Sequence, residues 1–189
     1  MAGTRILTLV GSLRAGSINR RLAEAAVQTA PDGVEIAIYE GLAEIPFYNE
    51  DLDVPGSVPA QAQALREAVA AADGILLVTP EYNGTLPAVL KNAIDWASRP
   101  YGVGAIKGKP VAVVSASISP RAAEWAHGDA VKAVGVAGGV VVETATARFG
   151  TIGERFGQTH PAQDAEALTQ LGATVHELVS AAHGELVTA

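Results

Sequence analysis

Apolar residues along this chain alternate between two patterns. Short, nearly unbroken β-branched runs occupy residues 6–10, 34–39, 74–79, 110–115 and 140–146, and runs of that kind suit strands covered on both faces rather than on one. Between them the spacing becomes helical. Leu65, Ala68, Val69 and Ala72 recur at i, i+3, i+4 and i+7 within 59–72, and Leu90, Ala93, Ile94 and Ala97 do so within 87–98. Further helices are expected over 17–29, about 121–134 and about 164–182. In the last, Leu168, Leu171, Val175, Leu178, Val179 and Ala182 form a stripe wide enough to cover a sheet face.

Strands that alternate with helices and are joined mostly by short loops define an α/β fold, because parallel neighbours require crossovers and right-handed crossovers put helices on both faces. The expectation is a doubly wound five-stranded parallel sheet in the order 2-1-3-4-5, within a single domain spanning 1–189. Ligands of such sheets lie beyond the carboxyl ends of the strands, at the switch point between strands 1 and 3. The loops after Val10 and Thr79 are therefore expected to converge. The longer connection from 40 to 58, with Pro46, Pro55 and Gly56, reads as a lid or interface arm.

Composition narrows the classes. The 49% hydrophobic content of 189 residues is ample for one sizeable core. A net charge of -7, from 20 acidic against 13 basic residues with no basic run, gives no sign of binding nucleic acid or an anionic membrane. The chain has no cysteine, which excludes disulfides, thiol chemistry and metal thiolates and fits a cytoplasmic location. Its first apolar run is too short for a signal peptide, and no stretch approaches the roughly 18 apolar residues of a membrane span.

The densest chemistry follows the first strand, in Gly11-Ser12-Leu13-Arg14-Ala15-Gly16-Ser17-Ile18-Asn19. A strand that turns through small and hydroxyl residues into a helix presents free amides and a positive dipole end to an anion. Arg14 adds a guanidinium, and Ser12, Ser17 and Asn19 add neutral donors. Gly11 and Gly16 have Walker spacing, but Ser17 stands where the phosphate-reaching Lys belongs, and Leu13 occupies the second glycine of the dinucleotide fingerprint. A terminal monophosphate fits better than either. The bland alternative is an ordinary βα turn whose Gly and Ser serve as turn and cap residues.

After the third strand comes Pro80-Glu81-Tyr82-Asn83-Gly84, a rigid turn whose amides and carbonyls suit the edge of a flat heterocycle, with Tyr82 placed to pack beside it. The alternative is a plain Asn-Gly turn before a helix that starts at Pro87. With both loops in view, the chain resembles the NADPH-dependent FMN reductase family. The shared motifs are Gly11-Ser-Leu-Arg-x-Gly-Ser-x-Asn19 and Pro80-Glu-Tyr-Asn-Gly84, the latter continuing through Leu90-Lys-Asn-Ala-Ile-Asp-Trp96 to Ser98-Arg-Pro100. The resemblance implies a flavodoxin-like fold that binds FMN. It places the phosphate at Ser12, Arg14, Ser17 and Asn19, with Ile18 also among the cofactor contacts, and the isoalloxazine edge along Pro80, Glu81, Tyr82, Asn83 and Gly84. It also implies a homodimer or homotetramer with flavins near subunit boundaries. A third ligand loop should follow the fourth strand, with Ser115 and Ser117 among the cofactor contacts and Ser117 as a ring contact. Here Ser119-Pro120-Arg121 departs from the glycine-rich turn of many relatives. Arg121 either meets the 2′-phosphate of NADPH or begins a helix.

The resemblance implies hydride transfer from NADPH or NADH to the flavin and on to a small-molecule acceptor, a quinone, free flavin, azo compound or metal oxyanion. The cofactor carries that reactivity, so no catalytic side chain is expected. Ping-pong kinetics follow from a single open ring face. A flavodoxin-type electron carrier without NAD(P)H oxidation of its own and a non-catalytic phosphate-ligand module are the competing readings. Lys91 and Asp95 read as a surface pair and Trp96 as a packing anchor. The dispersed His127, His160, His176 and His183 do not read as a metal site. The segment 154–160, with Phe149 and Phe156, reads as a surface arm or subunit contact.

Overall fold

Every residue of the run Gly74–Thr79 is buried, as a central strand covered on both faces requires. The computed structural model describes residues 3–184. Along them run β1 (Thr4–Val10), α1 (Ile18–Val27), β2 (Val34–Ile38), α2 (Ala60–Ala71), β3 (Gly74–Thr79), α3 (Ala88–Ala97), β4 (Pro110–Ala116), α4 (Glu124–Ala137), β5 (Val140–Phe149), α5 (Ile152–Phe156) and α6 (Ala165–Ala182). All four strand pairings are parallel, and the order is the expected β2-β1-β3-β4-β5.

The period of two along the strands divides the core between the two faces. Ile6, Val10, Leu76 and Val78 pack with Leu22 of α1 and with Leu171, Val175 and Leu178 of α6. On the other face Leu7, Leu9, Ile75 and Leu77 pack with Leu65 of α2, Leu90, Ile94 and Trp96 of α3, and Ala126, Ala130 and Val134 of α4. The predicted stripes of 59–72, 87–98 and 164–182 are therefore the faces that cover the sheet.

Three differences from expectation have local causes. β5 continues to Phe149 because its pairing with β4 skips from Val111↔Val141 to Val113↔Thr146, and the residues passed over include exposed Glu143 and Thr144, which interrupt the apolar run. α4 begins at Glu124 because Ala122 and Ala123 take left-handed backbone angles (φ 55° and 57°), so Arg121 precedes the helix rather than starting it. Segment 149–160 is no simple surface arm, since Phe149 and Phe156 are buried and meet edge to face at 5.9 Å, with α5 between Phe149 and the turn at Pro161–Gln163.

The connection 40–58 is sewn onto α2 and α3. Leu42 and Ile45 are buried. The Tyr48 amide donates to Asn92 Oδ1 at 2.8 Å, and Asn92 Nδ2 and Trp96 Nε1 both donate to the Pro46 carbonyl, at 3.0 and 2.8 Å. Arg66 meets Asp53 at 2.8 Å, and Phe47 remains exposed. Trp96 is thus the anchor that the sequence indicates.

Candidate functional site

The loops after β1 and β3 meet at the switch point. The Gly11 amide donates to the Val78 carbonyl at 2.8 Å, and a Cβ at Gly11 would lie 2.6 Å from Leu90 Cδ1 and 3.1 Å from Pro80 Cδ, so a side chain there would displace Leu90. Ser17 caps α1: its Oγ accepts from the Arg20 amide at 3.4 Å and its carbonyl accepts from Arg21 N at 3.1 Å. Ser17, Ile18 and Asn19 are buried, and Asn19 Oδ1 has no partner in the protein. Among the described residues, the successive amides from Ser12 to Gly16 and those of Ile18 and Asn19 donate to no protein acceptor. Such a row of free donors at a helix N-terminus is an anion seat.

Two arginines flank the seat and have opposite tasks. Arg14 is exposed, folds back so that its Nη1 lies 3.4 Å from where a Gly16 Cβ would be, and has no carboxylate partner among the described residues. Arg20 donates to both oxygens of Glu40, at 2.6 and 2.5 Å, and to Glu24 at 3.0 Å. The Glu40 hydrogen bonds raise the Arg20 pKa further above its ordinary range, and Arg20 in turn lowers that of Glu40. His160 Nε2 reaches Glu24 at 3.2 Å. This ion network was not legible in sequence, because its members come from α1, the end of β2 and the turn before α6. It neutralises Arg20 and leaves Arg14, among the described residues, without a carboxylate partner beside a hollow of about 430 Å³ lined by Ser12, Arg14, Arg20, Glu24, Tyr39 and Glu40.

Across the switch point, Tyr82 and Thr85 exchange backbone hydrogen bonds at 3.1 and 3.2 Å, and Asn83 and Gly84 both have positive φ (51° and 77°). This is the mirror-image two-residue turn that Asn-Gly favours. The amides of Glu81, Asn83 and Gly84 donate to no protein acceptor among the described residues, Tyr82 is half exposed, and Pro80 is buried at the base. The Glu81 carboxylate points elsewhere: its Oε2 accepts from the amides of Trp125 and Ala126 at 3.0 and 3.1 Å.

In the third loop Ser115 is fully buried and its hydroxyl donates to the Ala122 carbonyl at 2.8 Å, so that side chain shapes the loop and does not face the switch point. Ser117 lies beyond the strand end, with its Oγ accepting from the Ser119 amide at 2.9 Å. Arg121 lies over the Trp125 ring at 5.0 Å. A separate open groove of about 1090 Å³ lies between α3 and α4 and meets the turn at Tyr82, Asn83 and Thr85. Among the described residues no cluster of three metal-ligating side chains occurs and no helix is long and apolar enough to cross a membrane.

Free donors on one side of the crevice and a stiff, half-exposed turn on the other give this sheet the arrangement of a flavodoxin-like, mononucleotide-binding protein. Residues 4–153 match the family model of NADPH-dependent FMN reductase, and the chain belongs to that family. It is 43% identical over 114 residues to a 2-hydroxy-1,4-benzoquinone reductase of a Burkholderia species, an alignment covering 60% of this chain and 61% of the relative. It is 41% identical over 114 residues to a quinone reductase of Escherichia coli K12, covering 60% of each. The matched segment thus spans about three fifths of the curated relatives' length. Among solved structures, the flavoenzyme NAD(P)H:(acceptor) oxidoreductase FerB of Paracoccus denitrificans superposes with a TM-score of 0.69 at 28% identity, covering 96% of this chain and 92% of that one.

Proposed function

We propose that this chain is a single-domain, cytoplasmic FMN-dependent oxidoreductase that takes hydride from NADPH or NADH and delivers electrons to a small acceptor of the quinone class. Family membership and the quinone reductases among its relatives support the reaction class. The observation that carries the reading is the row of free amides from Ser12 to Gly16 with the unpaired Arg14 beside it, facing the free amides of the Glu81–Gly84 turn. These donors fit FMN. A phosphomonoester takes the first set, with the free backbone amides of Ile18 and Asn19 at the start of α1 beside it.

FMN, when bound, supplies the two-electron chemistry, with nicotinamide as hydride donor and the acceptor as the final sink. The chain's task is placement. Ser12, Arg14, Ser17, Ile18 and Asn19 hold the phosphate, and the amides of Asn83 and Gly84 hydrogen-bond the ring edge and favour negative charge developing there. Pro80 seals the base, Tyr82 packs beside the ring, and Ser117 offers a hydroxyl from the third loop. Phosphate and turn are fixed on opposite sides of the crevice, so one ring face is left for donor and acceptor in turn, and ping-pong kinetics follow.

We further propose a homodimer or homotetramer. The groove between α3 and α4 is lined by Leu86, Ile94 and Val136 and carries both signs of charge at Lys91, Asp95, Asp129 and Lys132, which suits two-fold pairing of like surfaces.

A visible spectrum of the purified protein, supplied with FMN and then with anaerobic NADPH, tests the reading. Bound oxidised flavin that bleaches on NADPH addition is the expected result. A protein that retains no flavin overturns it, and retained flavin that stays yellow under NADPH and NADH identifies a carrier reduced by a protein partner.

A further inference from the structure

The turn after β3 is held chiefly by a helix that begins beyond the next strand. α4 starts without a local cap: its N-cap residue, Ala123, is left-handed and offers no side-chain hydrogen bond. Its first-turn amides would be orphans, yet those of Trp125 and Ala126 are taken by Glu81 Oε2 at 3.0 and 3.1 Å, from 44 residues away in the first case. Both bonds are charge-assisted and lie at the positive end of the helix. Two further ties join the same partners. The Trp125 ring packs on Gly84, with Cε3 3.2 Å from where a Cβ would lie, and the Thr85 hydroxyl donates to Asp129. The entrance to α4 is itself fixed by the Ser115 hydroxyl on the Ala122 carbonyl.

We infer that Glu81 is a positioning residue, whose carboxylate caps α4 and thereby sets where the Asn83 and Gly84 amides stand relative to the phosphate loop. A two-residue turn is stiff within itself but pivots on its flanks, and Glu81 is the flank on the β3 side. Its hold on α4 also ties the loop after β3 to the loop after β4, so the two ligand walls move together. The Glu81 side chain therefore acts on bound ligand through backbone geometry and not by a contact of its carboxylate. The identity of that ligand as a flavin rests on the function proposed above.

The test compares the full-length protein with Glu81→Ala and Glu81→Gln. In the protein without FMN, amide hydrogen exchange at Trp125 and Ala126 should accelerate about tenfold or more in Glu81→Ala. Glu81→Gln, whose amide oxygen still accepts, should recover most of the protection, and β1 and α6 should be unchanged in both. In FMN titrations Glu81→Ala should bind about tenfold more weakly and Glu81→Gln within about threefold of wild type. Unchanged exchange at Trp125 and Ala126 overturns the cap, and unchanged FMN affinity despite lost protection overturns the positioning role. A wild-type protein that takes up no FMN defeats the flavin reading instead, while the exchange comparison still decides the cap. Glu81→Asp, too short by one methylene to hold both amides, carries the same comparisons if the alanine variant does not fold.

Discussion

Arg14 and Arg20 show how neighbours decide what a residue is for. Arg14 lies in the loop before α1 and Arg20 in its first turn, and in sequence both are equally cationic, but Glu40 and Glu24 neutralise Arg20 and nothing among the described residues neutralises Arg14. Arg14→Ala should therefore weaken FMN binding by about 1.5 to 3 kcal/mol, the worth of a charge-assisted contact, as read by fluorescence titration. Unchanged affinity would place the phosphate elsewhere. The donors of this seat were legible because they are contiguous along the chain. The tasks of Glu81 and Ser115 were not, since each side chain bonds a backbone group supplied by another element.

Among the elements, α6 is the cover whose start is most firmly fixed. Asp164 accepts from the Ala167 amide at 2.9 Å as the N-cap, and Arg155 of α5 donates to both its oxygens at 2.8 Å. The Arg155 hydrogen bond, with help from the Ala167 amide, lowers the Asp164 pKa from 3.8 to about 2. A carboxylate with a depressed folded-state pKa stabilises the fold above its unfolded value, and that contribution disappears as pH falls through the folded value. Urea midpoints should accordingly decline between pH 4 and about 2, and Asp164→Asn should flatten that decline. Asp164→Ala, which loses cap and ion pair together, should cost about 2 kcal/mol at neutral pH. The start of this helix was readable, because Asp before an apolar stripe is a local signal. The start of α4 was not, because its cap comes from Glu81.

At the scale of the whole molecule, the exposed groove between α3 and α4 is the surface that assembly would cover. Val136 lies on its wall and is 81% exposed, so a charge there leaves the folded chain intact. Val136→Glu should shift the mass measured by light scattering from an oligomer to the monomer without lowering the unfolding temperature. An unchanged oligomer would mean that another face pairs. The two covered faces of the sheet followed from the alternation of runs and stripes, since parallel strands need crossovers on both sides, while the order 2-1-3-4-5 was one of several doubly wound orders that the alternation allows.

The chain alone therefore determined the doubly wound sheet, the five principal helices that cover it and the loop rich in amide and hydroxyl donors, because periodicity and capping act over a few residues. Only the folded molecule decided which of Arg14 and Arg20 is neutralised, which acid caps which helix, and how β5 passes its bulge. Each of those depends on groups that meet only after distant segments pack, and no local pattern records which partner arrives.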